Sequence, residues 1–161
     1  MTTHLAKSRT FPVGVDDAYD RVLVAPLPEI FSRRFLVISP ITSVEGQDGV
    51  WGTSVGQTRT IKLSDGGTVL ETLTEIERPH HFAYSIINVT GMLKPLVVAA
   101  SGKWTFEPVG TGVRITWAWD VTPTDTLGRY AMPLFGRLWS GYARQALDQI
   151  EPILLGSATA A

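Results

Sequence analysis

The segment from Lys103 to Thr122 constrains the fold most strongly, because it predicts two long antiparallel β-strands joined by a turn at residues 107–112. Side chains alternate between the two faces of a strand. One face of the second strand therefore carries Val113, Ile115, Trp117, Trp119 and Val121. If the hairpin closes around residues 108–111, the facing pairs are Trp104 with Ile115, Gly102 with Trp117, and Ala100 with Trp119. This aromatic face needs a covering layer, and the functional question is whether that layer leaves room for a ligand.

Length and composition indicate one globular domain. We expect it to span residues 1–155 of the 161, followed by a disordered tail at residues 156–161. The formal net charge of -1 provides no basic surface for nucleic acid. There is no cysteine, which excludes disulfides, thiolate nucleophiles and Cys-ligated zinc. The first residues show no signal-peptide pattern and the longest apolar run, residues 96–100, is too short to cross a bilayer, so we expect a cytoplasmic protein that is not integral to a membrane.

Hydrophobic periodicity predicts an α+β chain with the element order β-α-α-β6-α. A first strand over residues 5–13 precedes a short helix that Asp16 would cap, and Pro28 would open a second helix over residues 29–35. Six strands follow, at residues 41–45, 56–63, 68–77, 81–90, 96–106 and 112–123. Residues 127–154 then predict a long helix, with Pro133 expected to kink it. The natural solution is a curved antiparallel sheet of six to seven strands wrapped around this helix.

This element order, together with several local phrases, resembles the START-like superfamily, also called SRPBCC or Bet v 1-like helix-grip proteins. The phrases are Gly56-Gln57-Thr58-Arg59, Asp65-Gly66-Gly67 followed by Glu71, Glu77-Arg78-Pro79 before Phe82-Ala83-Tyr84, and Gly102-Lys103-Trp104-Thr105-Phe106-Glu107-Pro108 before Gly112-Val113. Within the superfamily the chain most resembles the polyketide cyclase/dehydrase-like branch. The resemblance implies a helix-grip, START-like ligand-binding domain with a deep apolar cavity for lipids, polyketides or other hydrophobic molecules. Some members of this branch are cyclases or dehydratases, and many only bind or carry a ligand.

Two charged residues fall on predicted strand faces that are otherwise apolar. Arg59 shares its face with Ile61 and Leu63, and Glu71 shares the next one with Val69. If these faces are concave, the two charges should meet, because a buried charge costs several kcal/mol unless it is paired. The pair would then either hold the polar end of a ligand or serve as a structural salt bridge. A register that turns both side chains to solvent is the third alternative.

The other predicted ligand-binding residues are aromatic, amide or apolar side chains on the strands and on the long helix. Tyr84 and Asn88 alternate with apolar neighbours and could orient a ligand or satisfy backbone groups. Three tryptophans of the aromatic face could act as core and as cavity wall together. With the long helix as the opposite wall, the full set is Arg59, Glu71, Tyr84, Asn88, Trp104, Trp117, Trp119, Tyr130, Leu134, Leu138 and Tyr142.

Two further patterns do not support a catalytic or metal site. His80 and His81 lie at a predicted turn without a nearby ligand cluster, which argues against zinc. Residues 52–56 match the nucleophile-elbow pattern G-x-S-x-G, but no helix follows them. We therefore expect no metal, no cofactor and no catalytic residue assigned by motif.

Three functions remain open. The first is binding or carriage of a small hydrophobic molecule, such as a lipid, fatty-acyl, isoprenoid or polyketide-like compound, by a monomer or homodimer. The second is an aromatase/cyclase or dehydratase that uses Glu71 and Tyr84, with Arg59 stabilising an enolate. The third is a partner-binding protein whose helix rearranges at Pro133, with Phe135 and Trp139 on its outer side.

Overall fold

The chain forms a seven-stranded antiparallel sheet that curves around a long C-terminal helix, in a computed structural model that describes residues 2–159. The strands are β1 (Thr3–Phe11), β2 (Ile41–Glu45), β3 (Thr58–Leu63), β4 (Thr68–Glu77), β5 (His81–Ile87), β6 (Val97–Val109) and β7 (Gly112–Pro123). The helices are α1 (Val15–Val24), α2 (Leu27–Ile30) and α3 (Leu127–Thr159), and a 3₁₀ turn lies at Gly91–Leu93.

The strand order is β1-β7-β6-β5-β4-β3-β2. The six strands from β2 to β7 follow one another as antiparallel neighbours, and β1 returns to pair with β7. The main hydrophobic core lies between the sheet and α3. The helix-grip fold and the α+β class predicted from the sequence are confirmed.

The register of the β6–β7 hairpin differs from the sequence-based prediction by two residues. Trp104 faces Trp117, Gly102 faces Trp119, and Ala100 faces Val121. The hairpin closes at the pair Val109–Gly112, because Gly110 adopts a positive φ of 59° and allows a loop of two residues. The predicted alternation is correct: Val113, Ile115, Trp117 and Val121 are buried on one face.

The two short helices begin and end at other residues than expected. The N-cap of α1 is Gly14, so Asp16 lies inside the first turn of the helix and does not cap it. The helix α2 ends after Ile30, where the expected helix had reached residue 35. Phe35 and Ile38 instead exchange backbone hydrogen bonds across a tight turn in which Leu36 has a φ of 51°.

The helix α3 continues without a break through Pro133 and Pro152. It reaches Thr159, so residues 156–159 of the expected tail are helical, and residues 160–161 lie outside the described part of the chain. Within residues 2–159, no helix combines the length and the apolar character that crossing a bilayer requires.

Candidate functional site: a cavity between the sheet and the long helix

A cavity lies between the concave face of the sheet and α3. The centres of water-sized molecules can occupy about 80 Å³ of this cavity. The whole empty space between the lining atoms and the mouth, part of which is open solvent, is about 880 Å³. Its wall is largely aliphatic and aromatic, and all five tryptophans of the chain contribute to it. The charged side chains in the wall are Arg59 and Glu71. A wall of this composition suits an apolar molecule with few polar groups.

Arg59 and Glu71 form a buried ion pair in this wall. They are direct partners in the antiparallel register of β3 and β4, so their side chains leave the sheet side by side on the concave face. The Nε of Arg59 donates to Oε1 of Glu71 across 2.5 Å, and the two residues are 7% and 3% exposed. Burial raises the pKa of the Glu71 carboxyl, while the charge and the hydrogen bond of Arg59 act in the opposite direction. The expected meeting of the two charges is observed, and a role in ligand binding stays a prediction.

The loop between β2 and β3 packs Trp51 against Arg59 of this pair. Trp51 is 4% exposed, and the centroid of its ring lies 3.8 Å from the guanidinium carbon of Arg59. One side chain, Gln57, holds the loop closed. Its Oε1 accepts from the backbone N–H groups of residues 52, 53 and 54, and its Nε2 donates to the carbonyls of residues 48 and 50. The closed loop thus holds the indole of Trp51 against the guanidinium of Arg59 in a cation–π contact.

Tyr84 is another polar side chain of the wall. Its ring crosses the sheet from β5 over Gly102 of β6, where a Cβ atom would overlap the phenol ring. Its hydroxyl oxygen then accepts hydrogen bonds from two indoles of β7, from Trp117 Nε1 at 2.7 Å and from Trp119 Nε1 at 2.9 Å. Burial, followed by the charge of Glu71, raises the pKa of Tyr84. The hydroxyl therefore keeps its proton at neutral pH.

The helix α3 presents a different face to the cavity from the one expected. Phe135, Trp139 and Tyr142 line the cavity, and the ring centroids of Trp139 and Trp117 are 4.8 Å apart. Tyr130 and Leu134 are 85% and 61% exposed, so their predicted placement in the wall is wrong. The buried positions Met132, Phe135, Trp139, Tyr142, Ala143, Ala146, Leu147, Ile150 and Leu154 keep one phase along the helix. The stripe that contains Tyr130 and Leu134 runs along a neighbouring side.

Two more predicted lining residues lie elsewhere. Asn88 is exposed after the end of β5, where its φ of 54° turns the chain out of the strand. Leu138 is half-buried against the core and is not among the residues that line the cavity. Seven of the predicted binding residues do line it, namely Arg59, Glu71, Tyr84, Trp104, Trp117, Trp119 and Tyr142.

The predicted set left out five aromatic residues of the wall, namely Phe31, Trp51, Phe82, Phe135 and Trp139. Phe135 and Trp139 had been assigned to the outer side of α3, and the signal that identifies them is the phase they share with Ile150 and Leu154. Trp51 lies in a glycine-rich loop, where no periodicity predicts the direction of a side chain. Among residues 2–159, no three His, Asp or Glu side chains come together as a metal site would require.

Comparisons with known proteins agree with this fold. A family model described as "Polyketide cyclase / dehydrase and lipid transport" matches residues 2–153. Among solved structures, the chain is similar to Ara h 8.0201 with 17% identity and a TM-score of 0.66, covering 97% of this chain and 99% of that one. It is similar to ginseng major latex-like protein 151 from Panax ginseng with 15% identity and a TM-score of 0.66, covering 96% and 98%. It is also similar to the protein TTHA0849 from Thermus thermophilus with 15% identity and a TM-score of 0.68, covering 96% and 99%. No curated protein sequence matches the chain.

Proposed function

Because this chain belongs to the polyketide cyclase/dehydrase and lipid transport family, we propose that it binds or carries a small hydrophobic molecule in the cavity between the sheet and α3. Family and fold are consistent with hydrophobic ligand binding and with a cyclase-like role. The observation that carries the proposal is an open space walled by apolar side chains in the interior of the protein. Lipid, fatty-acyl, isoprenoid and polyketide-like molecules are the candidate cargo.

The driving force for binding would be burial of apolar surface. Each Å² of apolar ligand surface removed from water contributes roughly 25 cal/mol. The aromatic side chains Trp104, Trp117 and Trp139 supply broad, rigid contact area within the wall. The ion pair and Tyr84 supply the polar groups that would fix the orientation of the ligand.

Native mass spectrometry of gently purified protein, combined with a titration against a panel of lipids, tests this proposal. Since all five tryptophans line the cavity, a bound ligand should change their fluorescence in a saturable way. If no ligand co-purifies and no member of the panel gives a saturable change, the proposal fails.

A matched pair of variants locates the binding site. Val69→Phe adds a ring to a residue of the cavity wall that is 7% exposed, whereas Val98→Phe makes the same change at a position that is 55% exposed. The first variant should weaken ligand binding at least tenfold by filling the space, and the second should leave it unchanged. Equal binding by both variants would place the ligand outside the cavity.

Catalysis by a cyclase or dehydratase is the second candidate function. What favours it is a carboxyl group whose pKa is raised by burial, next to a guanidinium and in the same cavity as a phenol. In this reaction Glu71 would move a proton, Arg59 would stabilise an enolate and Tyr84 would donate to a carbonyl oxygen. Glu71→Gln should then abolish turnover of a poly-β-ketone analogue while the protein stays folded, and unchanged turnover would remove Glu71 from the mechanism.

The cytoplasmic location and the monomeric or homodimeric state stay predictions from the sequence.

A further inference from the structure

The hydroxyl of Tyr84 has one hydrogen-bonding function left. A phenol oxygen offers two acceptor sites and one proton. Both acceptor sites are occupied, by Trp117 Nε1 and by Trp119 Nε1. Within the described part of the chain, no atom accepts the proton of the Tyr84 hydroxyl. This side chain can therefore act toward a ligand only as a donor.

The position of Tyr84 makes this donor available to the cavity. The side chain lines the cavity, and its ring is held against Gly102 on one side. The indole donors approach the oxygen from β7. Because the ring cannot move toward the sheet and its oxygen is already bonded, the orientation of the phenol is set before a ligand arrives.

The charges of the cavity wall cancel one another. Arg59 supplies the cation and already binds the carboxylate of Glu71, while its guanidinium also lies against the ring of Trp51 and donates to Oε1 of Gln47. A ligand carboxylate would add a second anion to the same buried space, where water is largely excluded. Isolated charges are strongly disfavoured in such surroundings.

From these observations we infer that the cavity selects an uncharged apolar ligand that carries a hydrogen-bond acceptor oxygen, such as a ketone, ester or ether, and that Tyr84 is the group that donates to this oxygen. The inference rests on the proposed function. It adds the polarity of the ligand, because a free carboxylic acid and a pure hydrocarbon of the same length should both bind less well. Tyr84 is then a specificity-determining residue.

Four ligands with equal chains test the inference: a ten-carbon methyl ketone, the n-alkane, the carboxylic acid and its methyl ester. Dissociation constants at neutral pH would come from tryptophan fluorescence and from calorimetry. The ketone and the ester should bind about three- to tenfold more tightly than the alkane, the gain expected for one neutral hydrogen bond. The ionised acid should bind more weakly than its ester. A carboxylic acid that binds most tightly, or a ketone that binds no better than the alkane, would overturn the inference.

The variant Tyr84→Phe links the preference to one atom. The ratio of the ketone and alkane dissociation constants should fall to about one in this variant, while Tyr130→Phe, the same change at a tyrosine that is 85% exposed and outside the cavity wall, should preserve the ratio. Since Tyr84→Phe also leaves two indoles without an acceptor, a second measurement on the unmodified protein is needed. The infrared carbonyl stretch of the bound ketone should shift to lower frequency than in a hydrocarbon solvent, and an unshifted band would contradict the assignment. If none of the four ligands binds, the proposed function itself fails, and this outcome is distinct from equal binding of all four.

Discussion

Arg59 and Glu71 are direct cross-strand partners, and their side chains form an ion pair of 2.5 Å inside a cavity wall that is otherwise apolar. Pairing compensates for the removal of both charges from water. It also couples the two residues energetically, because either one alone would be a buried charge without a partner.

A double-mutant cycle should reveal this coupling. Arg59→Met alone and Glu71→Leu alone should each lower the free energy of unfolding by about 3–5 kcal/mol, because each leaves one buried charge unpaired. The double variant should cost far less than the sum, since it replaces the pair by apolar groups of similar volume. Urea denaturation gives the free energy of unfolding of all four proteins. If the losses of the two single variants add up to that of the double variant, the pair is not buried in solution.

The titration of Glu71 should make the free energy of unfolding depend on pH. Its pKa is raised in the folded protein above the ordinary value of 4.5, with burial as the largest cause. Between pH 4.5 and the raised pKa of the folded state, the folded protein holds a proton on Glu71 that the unfolded chain has lost. The contribution of this proton to stability is therefore complete below pH 4.5 and is lost as pH rises through the folded pKa.

The variant Glu71→Gln lacks this titration and therefore serves as the reference. The stability of the unmodified protein relative to the variant should fall as pH rises from the ordinary pKa of 4.5 through the raised pKa of the folded state. Urea denaturation of both proteins over this range measures the difference, in which all other titrating groups cancel. A difference that grows with pH would mean that the ion pair lowers the carboxyl pKa.

Gly102 should tolerate no side chain, because the ring of Tyr84 occupies the space of its Cβ atom. We expect Gly102→Ala to displace the phenol, to break its bonds with the indoles and to lower stability by about 1–3 kcal/mol. The near-ultraviolet circular dichroism of the tryptophans should change as well. Gly156→Ala is the control, since a Cβ at that position meets nothing within 4 Å and alanine favours a helix. Equal stabilities of the two variants would show that the phenol does not rest on Gly102.

Gln57 should control the loop that carries Trp51. Gln57→Ala removes five hydrogen bonds to the loop backbone, so the amides of residues 52–54 should exchange with solvent much faster. Gln57→Glu keeps the acceptor oxygen but places a second oxygen against the carbonyls of residues 48 and 50, so the protection of these amides should fall less than in Gln57→Ala. Hydrogen exchange followed by mass spectrometry or NMR distinguishes the variants, and slow exchange in Gln57→Ala would show that other contacts hold the loop.

Several features of this protein could be predicted from the sequence because they depend on local patterns. Alternation along β7 identified the buried aromatic face, and the order of elements led to the helix-grip fold. The meeting of Arg59 and Glu71 was also predictable, since two charges on apolar faces of adjacent strands are stable inside only as a pair.

Other features were decided by the tertiary structure. A shift of two residues in a hairpin keeps every side chain on its face, so alternation could not distinguish the predicted β6–β7 register from the observed one. Similarly, α3 has two adjacent apolar stripes, and packing against the sheet buried Trp139 and left Tyr130 in solvent. Local periodicity determines which residues share a face. Only the contacts between distant segments determine which face is covered, and how much space remains beneath it for a ligand.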